Sequence, residues 1–491
     1  MNPTTQQRSQ IDEQVGNCYE KSGVPGMSVA LVDGSETVFA AGYGDRQLDP
    51  QYPATADTLY GIGSATKPVT ATTVLSLVGE GVIALDDAVS SYVPYFEDAP
   101  GDPVTVRGLL SHTSGMPADD VATMLILEEF GMEPAVSLDG WDSFREYVAE
   151  SVDRRCLDNP CLYYNSGYVV LSRLVEAATG DPFAEIVTER VLDPLGMTAS
   201  TFDVSVVGDD SRDVMTPYLE REETTQPAGL PDSPLFAGPG GLQASVTELA
   251  QFLTAWAAGE PPVDEPLATR MQEPVGVLQQ FVDGSKQGYG YGWMTRQFGG
   301  DVLVGHGGGT GVSAGYLGFL REQGLGVAIG YNAQPSTAPE ETAIELLATL
   351  SGTDPAVVLP ERAIQQQVER ITGTYESYRG IHTATVDWTG ERLEIEHHNP
   401  VGRDTSELFP ASLDPETYRF RAVEGDGDVL TVEFDVDGDD AAFLMRRILF
   451  ERVGDLDKTK PTDGTGERVE AVETDHDGTG ERENSPETDH R

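Results

Sequence analysis

Cysteine is nearly absent from this chain. Cys18, Cys156 and Cys161 are the only three among 491 residues, too few for a disulfide framework. No Cys-x-x-Cys or His/Cys cluster offers a zinc ligand set. Cys156 and Cys161 flank Leu-Asp-Asn-Pro and allow two readings: a small loop closed in an oxidising compartment, or two free buried thiols. Lysine is almost as scarce, with only Lys21, Lys67, Lys286, Lys458 and Lys460. Lys and Arg together number 31 against 82 Asp and Glu, a net charge of −51. That balance repels phosphate and argues against a nucleic-acid or polyanionic partner. Long apolar runs are missing too. None approaches the ~18 residues of a membrane span, and residues 1–14 lack the apolar core of a secretory leader. The expectation is a cytoplasmic protein without membrane contact.

The acid is spread along the whole chain. An acidic, lysine-poor surface resembles that of proteins working in concentrated salt, where the Debye length falls to ~3 Å and self-repulsion is screened. The charge therefore reads as adaptation to solvent. At about 150 residues per domain the length allows two or three domains. Met27–Val32 and Thr37–Tyr43 read as strands around the hairpin signal Asp33-Gly34-Ser35-Glu36. Residues 84–260 read as mainly helical. Tyr289–Arg296, Val302–Gly305, Val312–Leu320 and Leu325–Tyr331 return to strands, the last two around Arg321-Glu322-Gln323-Gly324. Strands from both ends with helices between predict an α+β domain over 8–350 with one mostly antiparallel sheet. A linker helix over 351–369, a small β-barrel or sandwich over 370–454 and a disordered acidic tail over 455–491 complete the organisation. The tail repeats Asp-Gly-Thr-Gly-Glu-Arg and has too few apolar residues to form a core.

Ser64-Ala65-Thr66-Lys67 is the most informative segment. Pro68, Val69, Val74, Leu75 and Val78 follow as the start of an amphipathic helix. Ser and Lys three residues apart share a helix face, and a hydroxyl beside an ammonium is a candidate activated nucleophile. A helix cap with a nearby surface lysine is the plainer reading of the motif alone. Tyr163-x-Asn165 puts a phenol and an amide on one side of an extended stretch; beside a lysine a phenol ionises more easily and acts as general base. Gly305-His306-Gly307-Gly308-Gly309 follows a strand, and glycines on an edge strand let a backbone approach a substrate that His306 faces. The N–H groups of Ser64 and Gly309 are candidates for an oxyanion hole. Packing alone would also explain the tyrosines and His306. No metal or cofactor site is expected, since His306 has no second ligand near it.

In this order, Ser64-x-x-Lys67, Tyr163-x-Asn165 and His306-x-Gly308 resemble the β-lactamase-related serine hydrolases, which include class C β-lactamases, D-aminopeptidases, DD-peptidases and esterases. The resemblance covers about residues 10–345. It extends to Leu109-Leu-Ser-His-Thr-Ser-Gly-Met-Pro117, Pro194-Leu-Gly-Met197 and Gly240-Gly-Leu-Gln-Ala-Ser245. It implies a serine β-lactamase/DD-peptidase-like antiparallel sheet flanked by helices, with a helical subdomain. It implies Ser64 as nucleophile and Lys67 as the group tuning Ser64 and Tyr163. Tyr163 would be the proton carrier and Asn165 the support of Lys67 and substrate. His306 stands where many relatives carry lysine, and His112 is structural. Whether lysine or tyrosine takes the Ser64 proton stays open. One departure is Gly307, where relatives that bind a substrate carboxylate carry Thr or Ser. The missing hydrogen bond to a charged group is worth roughly 1.5–3 kcal/mol. Gly307 and Gly308 then line the substrate site, and esters or small amides are expected rather than β-lactams.

Two other readings compete. His306-Gly-Gly-Gly309 with Gly311-Val-Ser313-Ala-Gly315 imitates an α/β-hydrolase oxyanion loop and nucleophile elbow. That elbow needs strand, turn and helix, whereas strand, turn and strand are expected here. A catalytically silent binding protein is the non-enzyme alternative, against which all five motif residues are present. The C-terminal β-region would either cover the site mouth or mediate oligomers, and the oligomeric state stays open.

Overall fold

The computed structural model describes residues 5–456, except 120, 159, 210, 222–223, 282–283, 390–391, 413, 415 and 424–428. All but the first two residues of the expected acidic tail lie outside the described residues. The chain divides into two compact units between Ala363 and Ile364.

The first unit is built on a nine-stranded sheet. Across it run Gln51–Pro53, Glu36–Leu48, Gly26–Asp33, Leu325–Tyr331, Ala314–Leu320, Asp301–Gly309, Met294–Phe298, Lys286–Tyr289 and Gly276–Gln280. Every pairing is antiparallel, and the two ends of the domain meet in the middle, Val29 opposite Ile329. Gly26–Asp33 is buried at all positions but Asp33, as a strand covered on both faces must be. One face packs on the helices Thr5–Ser22 and Pro339–Ser351 through Val15, Ile344 and Leu347. The other face carries Val304, Leu317 and Phe319 against Leu249, Phe252 and Trp256 of the helix Val246–Ala257, and the helical subdomain continues that core.

Two local expectations are corrected. The proposed strand Tyr289–Arg296 is two strands, because Gly290–Trp293 turns back on itself with Gly292 at φ +80°, a conformation glycine adopts without strain. The helix after Ser64, Lys67–Gly79, is not amphipathic. Lys67 to Leu75 are all buried, since the helix is surrounded by Asn165–Thr179, Phe183–Val187 and Ala237–Gly240. A helix without a wet face belongs to a core, and Leu75→Ala in it would cost about 2–5 kcal/mol.

The second unit contains a closed eight-stranded barrel: Gly373–Glu376, Thr383–Trp388, Leu393–Asn399, Gly402–Pro410, Arg419–Val423, Val429–Asp437, Asp440–Met445 and Ile448–Gly454. First and last strands pair, Tyr375 opposite Arg452, which removes free sheet edges. Tyr375, Phe420, Phe434, Phe443 and Phe450 fill the interior. Among the described residues no helix is long and apolar enough to cross a membrane.

Candidate active site

Ser64 lies in a single 3-10 turn, Gly63–Thr66, and Lys67 opens the helix that follows. The fully buried Lys67 places Nζ 2.9 Å from each of Ser64 Oγ, Asn165 Oδ1 and Pro239 O. These contacts suit the nitrogen in either protonation state. An ammonium donates to all three; a neutral amine donates to the two carbonyls and accepts the Ser64 proton. The Pro239 carbonyl was not legible in the sequence, because a backbone acceptor leaves no residue signature.

Asn165 is the first residue of the helix Asn165–Thr179, and Tyr164 before it is still extended. The side chain of Asp119 holds this helix start. Its carboxylate accepts from Ser166 N at 3.1 Å and from Ser166 Oγ, which also suits the positive end of the helix dipole. The Tyr163 ring lies 4.4 Å from the His112 ring, 6.1 Å from Tyr289 and 6.2 Å from His306, centroid to centroid. Lys67 Nζ is 4.9 Å from the Tyr163 ring centroid. His112, buried and at φ +57°, accepts the Tyr164 N–H through Nδ1 at 3.0 Å. It thus braces both ring and backbone of the Tyr163 segment. Burial first, then the charges of Lys67 and His306, push its pKa well below the imidazole norm.

His306 lies on Asp301–Gly309, an interior strand whose partner Met294–Phe298 pairs only as far as Gly305. From His306 onward the strand pairs on one side only, with Ala314–Leu320. Its side chain is nonetheless only 1 % exposed. Nδ1 contacts Gly307 O at 2.7 Å and Nε2 the Tyr289 hydroxyl at 3.2 Å. Burial, followed by the Lys67 charge, lowers its pKa to about 3.

The glycines bring backbone to backbone behind the nucleophile. A Cβ on Gly308 would sit 2.3 Å from both Ser64 N and Ile62 O, and one on Gly63 2.6 Å from Gly309 N. Gly307 is different: its Cβ would meet Tyr316 at 3.4 Å, an ordinary contact. Gly308→Ala is therefore expected to displace Ser64 and lower kcat/KM at least ~10²-fold, the usual cost of a 1 Å misplacement. Overpacking would cost about 1–3 kcal/mol of stability. Steady-state kinetics beside a thermal melt check this; unchanged kinetics would contradict the close approach.

Ser313 is buried, with its hydroxyl on Gly61 O at 2.7 Å and beside Thr310 Oγ1 at 2.8 Å. A strand follows it, Ala314–Leu320, so no nucleophile elbow is built. Cys156 and Cys161 are free thiols. A cleft of about 380 Å³, lined by Arg296, Glu341 and Arg362 among others, lies apart from Ser64 on the face covered by Thr5–Ser22 and Pro339–Ser351.

Comparison with known proteins follows these two units. The family model described as Beta-lactamase matches residues 10–350, and that described as Pab87 octamerisation domain matches residues 355–451. The D-alanyl-D-alanine-carboxypeptidase/endopeptidase AmpH of Escherichia coli is 23% identical over 363 residues, 71% of this chain and 90% of that protein. The octameric penicillin-binding protein homologue from Pyrococcus abyssi is 28% identical, with a TM-score of 0.75 over 91% of this chain and 99% of that one. A D-stereospecific amidohydrolase from Streptomyces is 23% identical, with a TM-score of 0.56 over 70% of this chain and 99% of the other.

Proposed function

Since the chain belongs to the beta-lactamase family, whose model it matches over residues 10–350, we propose that it is a serine hydrolase. It acts through an acyl-enzyme on carboxylic esters and small amides. The observation that carries this reading is the Lys67 Nζ held 2.9 Å from Ser64 Oγ inside a buried set of acceptors. Ser64 Oγ adds to the substrate carbonyl carbon while its proton passes to the Lys67–Tyr163 pair. The carbonyl oxygen takes up negative charge against the N–H groups of Ser64 and Gly309. Collapse expels the alcohol or amine, which recovers the proton. Water then adds to the Ser64 ester, gives its proton to the same pair, and the acid leaves as Ser64 is reprotonated. Turnover of p-nitrophenyl butyrate in molar salt, with covalent labelling by a fluorophosphonate, tests the reading. A silent binding protein would do neither.

The barrel, matched by the octamerisation domain over 355–451, is read as the part that brings copies together. Leu444 and Leu449 are directly opposed across two strands and both more than half exposed, on the outer surface. A paired, exposed leucine step is what a self-complementary contact uses. Leu444→Glu with Leu449→Glu is expected to lower the mass of the assembly by light scattering while far-UV CD stays unchanged. An unaltered mass would move the contact elsewhere.

A further inference from the structure

Both nitrogens of His306 are committed. A peptide carbonyl only accepts, so the 2.7 Å contact with Gly307 O puts the proton on Nδ1. Neutral His306 then offers Nε2 as an acceptor, and the Tyr289 hydroxyl 3.2 Å away donates to it. Tyr168 does not compete for that nitrogen. Its hydroxyl donates to Leu110 O at 2.8 Å and only approaches the Tyr289 oxygen, at 3.5 Å. The Tyr289 ring is itself fixed, 4.5 Å from His112 and edge-on to Tyr163.

We propose that Tyr289 is a positioning residue that determines specificity: its donated hydrogen bond keeps His306 a neutral acceptor and withholds Nε2 from a substrate carboxylate. The substrates are then acyl compounds with no negative charge beside the scissile bond, such as esters of uncharged alcohols and amides without a free neighbouring carboxylate. Gly307 points the same way. It carries no hydroxyl, although a Cβ there would meet only an ordinary contact, so the lack is not forced by crowding. The titratable and charged groups facing His306 among the described residues are Lys67, Tyr163, His112 and Tyr289. None is a carboxylate that would favour an imidazolium. Burial and the Lys67 charge lower the His306 pKa, while the hydrogen bond to Gly307 O raises it; a hydrogen bond donated to the neutral ring, as from Tyr289, adds to the first two. Removing the hydroxyl takes away the donor that favours the neutral ring and lets Nε2 accept a proton at a higher pH than before.

The proposal rests on the serine-hydrolase reading, and its test separates the two. Phenyl butyrate and 3-carboxyphenyl butyrate differ by one carboxylate. Their kcat/KM values are compared from pH 5 to 8 in molar salt for the wild-type chain, Tyr289→Phe, His306→Gln and the double variant. In Tyr289→Phe the ratio of charged to neutral ester is expected to rise about tenfold at pH 5 and to fall back toward the wild-type ratio by pH 8. In the His306→Gln background the same change is expected to leave the ratio where His306→Gln alone puts it. A ratio unmoved at every pH in Tyr289→Phe, or one that rises equally without His306, overturns the assignment. Thermal melts of the four proteins control for folding. A wild-type chain that hydrolyses neither ester strikes the hydrolase reading itself.

Discussion

Ser64→Ala is expected to remove ester hydrolysis, lowering turnover on the order of 10⁶-fold, as loss of the nucleophile does in a covalent mechanism. What would remain is the small acceleration from binding and oxyanion stabilisation. The protein should stay folded. Without the hydroxyl Lys67 Nζ keeps Asn165 Oδ1 and the Pro239 carbonyl, and losing one hydrogen bond costs about 0.5–1.5 kcal/mol. Fluorophosphonate labelling should vanish in Ser64→Ala and persist in Ser313→Ala, because the Ser313 hydroxyl is buried against Gly61 O. Labelling that survives without Ser64 would put the nucleophile elsewhere.

Lys67→Ala is expected to cost about 10³-fold in kcat and Tyr163→Phe at least ~10²-fold, within or near the range of a positioned proton-transfer group. The lysine is the costlier loss because it does two things. It meets Ser64 Oγ, and it ties the helix start at Asn165 to the Pro239 carbonyl. Without it those two buried oxygens lose a donor, at about 1–3 kcal/mol for each group left unsatisfied. Tyr163→Phe keeps the ring against His112 and removes only the hydroxyl, so its stability loss should stay within the about 0.5–1.5 kcal/mol of one hydrogen bond. Single-turnover kinetics separate the roles. If tyrosine carries the proton in both half-reactions, Tyr163→Phe slows acylation and deacylation alike. If lysine takes it in the first, only deacylation falls.

Much of this was legible in the sequence where a residue type carries its own chemistry. Ser64, Lys67 and Asn165 are joined by hydrogen bonds although Asn165 is 98 residues from Lys67, and the Tyr163 and His306 rings lie close by. Each motif alone admitted a structural reading; they could be read because they occur together, in the order and at the separations of one family. Tyr289 was not singled out, since an aromatic in Gly288-Tyr-Gly-Tyr-Gly-Trp reads as ordinary strand packing. Asp119 was missed because an acidic residue in an acidic chain carries no contrast. The central hairpins were legible from their glycine turns. In the barrel, Gly402–Pro410 was overlooked because its first four residues are exposed, and alternation fades when half a strand stands in water. The last hairpin turns through Arg446 and Arg447 at positive φ, where no glycine or asparagine signals it.

The contact of Gly308 with the Ser64 turn bears on how this protein can diversify. A wall of bare main chain gives selection nothing to vary, so the chemistry is frozen there while the clientele is not. New preferences must enter from the rim. Ile126 and Phe130 stand near Gly311, and the Gln334 carboxamide would lie 3.1 Å from a Cβ on Gly309. A library built on these three positions should yield altered selectivity at little cost to turnover, whereas one built on the glycines should yield mostly dead clones.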